Sequence, residues 1–77
     1  MSITVTVTGV WKGEQHLGTI TVVTDEDGNV RGVVGTPESP EHLDAVKGTI
    51  ENQYGASFDL TVTGEGAIEA IPKVVTA

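Results

Sequence analysis

Cysteine is absent, and aromatic and basic residues are scarce. The chain has 77 residues, no Cys, one each of Trp, Tyr and Phe, and 4 Lys and Arg against 11 Asp and Glu, for a formal net charge of −7. Without Cys, neither a disulfide framework nor a Cys-based zinc site can form. With so few basic residues, the chain is repelled by phosphates, so neither nucleic acid nor an anionic membrane is an expected partner. No apolar run approaches the ~20 residues that span a bilayer. The start, Met1-Ser2-Ile3-Thr4, lacks the basic and apolar pattern of a secretion signal, so the expected compartment is cytoplasmic. The length sets one domain, residues 1–77, burying ~60% of its unfolded surface. An enzyme with its own cofactor domain does not fit.

What the chain does contain is β-branched residues in alternation. Ile3, Val5 and Val7 alternate with Thr4, Thr6 and Thr8, the period of a strand. Gly9 interrupts the pattern before Val10 and Trp11, as a bulge would. Residues 12–15 read as a turn, and a second strand follows over residues 17–24, with Ile20 and Val22 against Thr19 and Thr21. Asp25-Glu26-Asp27-Gly28-Asn29 reads as a hairpin turn, because Gly adopts positive φ without steric cost. A third strand over residues 30–35 returns beside the second.

The period then changes. Ser39 is placed to cap a helix with Pro40 at its first position. Leu43, Val46, Ile50 and Tyr54 fall within about 80° of one another at helical spacing, and Gly55 stands where such a helix stops. Glu38, Glu41 and Asp44 crowd the first turns, where the helix dipole favours anions. A fourth strand carries Phe58, Leu60 and Val62 on one side and Asp59, Thr61 and Thr63 on the other. The last apolar segment, residues 67–75, contains Pro72, which removes a ladder donor and predicts an edge or broken strand. The expected class is therefore α+β: one antiparallel sheet of four to five strands, in the order β-β-β-α-β-β, with one helix packed on one face. The predicted core face bears Ile3, Val5, Val7, Ile20, Val22, Phe58, Leu60 and Val62.

Residues suited to catalysis are few. Ser39, His42 and Asp44 can be written as a triad, but Ser39 is better placed as a cap and nothing supplies an oxyanion hole. Asp25, Asp27 and Asn29 match the first ligand positions of a calcium loop, but Val30 stands where that loop needs Gly and Thr36 where it needs Glu. Glu38, Glu41 and His42 read as a solvated helix start rather than a metal site. Gly32 and Gly35 lack the Lys-Ser/Thr of a phosphate loop. No catalytic residue, metal or cofactor is expected.

Two surfaces remain as candidates. Thr4, Thr6, Thr8, Thr19, Thr21, Thr61 and Thr63 are expected to share the sheet face away from the helix. The Thr-x-Thr ranks at 4–8, 19–21 and 61–63 resemble those of ice-binding proteins, but the twist of ~20–25° per strand spoils a flat array. The same face, or an edge strand, can instead build a homo-oligomer. The other surface is acidic: Asp25, Glu26 and Asp27 at a hairpin tip, with Glu38, Glu41 and Asp44 at the helix start. Trp11 joins it as an anchor if the chain turns its ring outward, or the core if it does not. The reading is a small non-catalytic protein-binding module that occludes a basic surface of a larger protein, as inhibitors in viral genomes often do. The alternative is a structural or ligand-sequestering homo-oligomer.

Overall fold

The first three predicted strands form as antiparallel neighbours, joined where glycine lets the chain reverse. The computed structural model describes residues 2–73. β1 (Thr4–Lys12) turns through Gly13, at φ 62, into β2 (Gln15–Thr24). The predicted hairpin turn at residues 25–29 leads to β3 (Val30–Pro37). Its shape comes from one side chain: Oδ1 of Asp25 accepts the backbone N–H of Asp27 at 2.9 Å and of Asn29 at 3.0 Å. Gly28, at φ 85, takes the left-handed position.

The helix begins with a 3-10 turn, Pro40–His42, and continues as α1 (Leu43–Tyr54). Ser39 occupies the cap position expected of it, in extended conformation. Its side chain makes no cap bond; its hydroxyl instead donates to Glu41 Oε1 at 3.4 Å. Gly55 ends the helix as expected, but in right-handed conformation, its N–H donating to the Glu51 carbonyl. The apolar stripe lies where the spacing put it. Val46 and Ile50 are fully buried, Leu43 and Tyr54 partly so. Burying each of the first two stabilises the fold by about 1.5–3 kcal/mol.

β4 (Phe58–Val62) and β5 (Ile68–Pro72) complete a five-stranded sheet in the spatial order β1-β2-β3-β5-β4. The fold is α+β, one antiparallel sheet with a single helix on one face. The sequence predicts that the last strand is an edge or breaks at Pro72; it ends at Pro72, but it is not an edge. β5 is interior, paired to both β3 and β4, and β4 is the edge. Pro72 is tolerated because it lies past the β3–β5 ladder, whose register runs from Gly35–Ile68 to Val33–Ala70. Val74 and Val75 lie outside the described residues.

The core lies between α1 and the central strands: Ile20, Val33, Val46, Ile50, Phe58, Ile68 and Ala70. Here the predicted core face needs a second correction. Residues opposite one another in a ladder point to the same face. Thr8 pairs with Ile20 and Thr6 with Val22, so the threonines of β1 lie on the helix side. Val7 pairs with Thr21 and Val5 with Val23, so the valines lie on the open side. Val5, Val7 and Ile3 are 59%, 63% and 63% exposed, and Val62, on the helix side of edge strand β4, is also exposed.

The reason is width. Five strands ~4.8 Å apart span roughly 19 Å, and one helix is ~10 Å across. α1 packs on β2, β3, β5 and β4, and β1 lies beyond it. Between them runs an open groove of about 280 Å³, lined by Thr8, Val10, Ile20, Val22, Thr49 and Tyr54.

Candidate functional site

β1 carries Val5, Val7 and Trp11, three of the exposed large apolar side chains among the described residues, and Ile3 directly precedes it. Eight of its nine residues are exposed, and Val10 is the exception. The strand contains no carboxylate and no proline, and its one charge is Lys12 at its end. It is an edge strand, so its outer backbone groups meet no neighbouring strand. Edge strands usually carry charge, proline or bulges that discourage pairing. β1 has none of these along residues 4–11.

Trp11 extends the row on the open face. Its indole lies over Gly9: a Cβ on Gly9 would stand 2.6 Å from Trp11 Nε1. Gly9 is therefore no bulge. It pairs regularly with Thr19 and leaves room for the ring. The irregularity lies on β2, where Val10 pairs with Gly18 and Trp11 with His16, leaving Leu17 unmatched. Trp11 is 60% exposed, packed against the His16 ring at 4.8 Å between centroids. Ile3, Val5, Val7 and Trp11 thus form one exposed row along the edge of the sheet. Across the open face the character changes. β2 adds Thr19, Thr21 and Val23, β3 adds Val34 and Thr36, and the far strands bring Ile71 with Glu69, Asp59 and Thr61.

The predicted threonine surface is divided. Thr19, Thr21 and Thr61 are on the open face; Thr4, Thr6 and Thr8 are on the helix side. Thr63 is in the β4–β5 turn, where its Oγ1 accepts the Ala67 N–H at 3.1 Å. The misplacement has one cause. Thr and Val are both β-branched and fit a pleat equally well, so alternation shows two faces without saying which one the helix covers.

The acidic residues are also divided. Asp25, Glu26 and Asp27 lie at the loop before β3, while Glu38, Glu41 and Asp44 follow its far end, separated by the ~25 Å length of an eight-residue strand. They form two clusters, not one patch. Several have internal partners: Asp25 shapes its loop and approaches Arg31 at 3.9 Å, Glu38 meets His16 Nδ1 at 2.9 Å, and Glu41 lies 3.6 Å from His42. The first cluster borders the start of β1. An open groove of about 280 Å³ there is floored by Ile3 and Val23 and rimmed by Asp25, Glu26, Asp27 and Arg31.

Ser39 and His42 both contact Glu41 Oε1, at 3.4 and 3.6 Å, and no group of three His, Asp or Glu among the described residues could hold a metal ion. No helix among them is long and apolar enough to cross a membrane. Compared with family models, curated proteins and solved structures, the chain matches none.

Proposed function

We propose that this chain is a non-catalytic protein-binding module whose docking surface is the outer edge of β1 with the row Ile3, Val5, Val7 and Trp11. The carrying observation is that row: four large apolar side chains, all exposed, three on edge strand β1 and Ile3 just before it, with Lys12 the one charge of the strand. An incoming strand would gain main-chain hydrogen bonds from the edge and side-chain contacts from the row. Trp is among the residues that most often carry binding energy.

The reading in which carboxylates cover a basic surface keeps one observation in its favour. The groove rimmed by Asp25, Glu26 and Asp27 opens beside the start of β1, so a basic group could be held next to the apolar row. Salt and mutation separate the two. Trp11 is the only tryptophan, so its emission reports directly on the row. A partner docking on β1 shifts that emission to the blue, is lost with Val7→Lys, and survives added salt. A partner held by charge alone leaves the emission in place, binds Val7→Lys equally and dissociates as salt rises.

A further inference from the structure

We propose that the occupant of the β1 edge is a second copy of this chain, paired antiparallel about a twofold axis normal to the sheet, so that two five-stranded sheets join into one of ten. The inference rests on the reading of β1 as a docking edge and adds its occupant.

The placement of charge selects this partner and this orientation. β1 has a single charge, Lys12, at its last residue. The opposite end of the strand lies beside carboxylates, because Thr4 pairs with Thr24 and Asp25 follows directly. A parallel pairing would set Lys12 beside Lys12 and one acidic loop beside the other. An antiparallel pairing sets each Lys12 near the other copy's Asp25, Glu26 and Asp27. Full overlap of the nine residues puts the axis at Thr8, so Lys12 stands opposite Thr4 and two strand spacings, about 10 Å, from Thr24. A lysine side chain spans much of that gap, and the charges lie within about a Debye length at physiological salt.

The same register joins the apolar rows. Val5 of each copy stands opposite Trp11 of the other, an aromatic and β-branched cross-strand pair. Val7 stands opposite Gly9, over which the indole lies. Both rows then face one side of the joined sheet, since opposite residues share a face. On the other side Thr6 meets Val10 and Thr8 meets its own copy. No carboxylate of β1 is buried, because it has none. The twofold makes every contact away from the axis occur twice, as a self-complementary surface requires. One paired edge places the dimer at the small, weak end of interfaces, so it forms only at raised concentration.

The test is sedimentation equilibrium of the whole chain from about 1 μM to about 1 mM, with hydrogen exchange of the β1 amides followed in parallel. The expected result is a rise in mass from 8.0 kDa toward twice that value, with β1 amide protection growing in step. Thr8→Pro should abolish the rise. Lys12→Asp should weaken association about tenfold or more, and adding Asp27→Lys should restore it. Circular dichroism of each variant confirms folding, and a folded Val7→Lys should remain monomeric where wild type associates. A particle of 8.0 kDa at every concentration overturns the self-pairing. So does a dimer that Thr8→Pro and Val7→Lys leave intact. A folded monomer whose Trp11 emission still shifts on a captured partner overturns the second-copy assignment alone and leaves the docking edge standing.

Discussion

β1 and β3 each contain three valines, yet Val33 of β3 is 1% exposed and Val7 of β1 is 63% exposed. Composition does not distinguish them; position in the sheet does. β3 lies under α1, with Val46 and Ile50 against it, while β1 is the outer strand beyond the helix. The contrast shows that a strand pattern fixes what alternates but not what is covered. Coverage is set by how many strands one helix can reach. A valine row left over is then either a cost in solubility or a surface for another chain.

Four substitutions sharpen the contrast, from the largest effect to the smallest. Ile50→Ala empties the centre of the covered side and should cost about 2–5 kcal/mol in urea unfolding. Gly35→Ala adds a methyl 2.6 Å from Ile50 Cδ1 and 2.9 Å from Val46 Cγ1, in a packed interior with little room to yield. It should cost about 1–3 kcal/mol. Asp25→Ala removes the acceptor of two loop N–H groups and should cost about 0.5–1.5 kcal/mol by the same assay. Gly9→Ala makes the same 2.6 Å approach as Gly35→Ala, but to the end of an exposed indole that can swing aside. Its cost should stay near ~0.5 kcal/mol, and its readout is Trp11 emission, which should move toward that of a fully hydrated indole. If Gly9→Ala and Gly35→Ala destabilise equally, the two sides of the sheet are not different in the way described.

Much of this fold is legible in the sequence, and the failures share a cause. The helix was readable because Leu43, Val46, Ile50 and Tyr54 differ sharply in polarity from the residues opposite them, such as Glu41 and Asn52. The loop at 25–29 was readable because its geometry is local to Asp25 and Gly28. The phase of β1 was not, since it depends on pairing Thr8 with Ile20, a long-range choice that Thr and Val leave open. Pro72 marks the end of β5 and not an edge of the sheet, because its missing donor matters only where a ladder continues, and the β3–β5 ladder stops before it. Of the candidate site, Trp11 is visible in the sequence and its outward direction is not, because it follows the phase of β1, which Gly9 leaves unbroken. Five strands and a single 12-residue helix imply an uncovered strand by width alone.

The central claim is that the apolar row of β1 faces water in the single chain and contributes little to its core. Urea unfolding of Val7→Lys at low micromolar concentration tests it most directly. A midpoint within about 0.5 kcal/mol of wild type is predicted, as for a surface substitution. A loss of more than about 3 kcal/mol would mean a charge had been forced into the interior and would contradict the account.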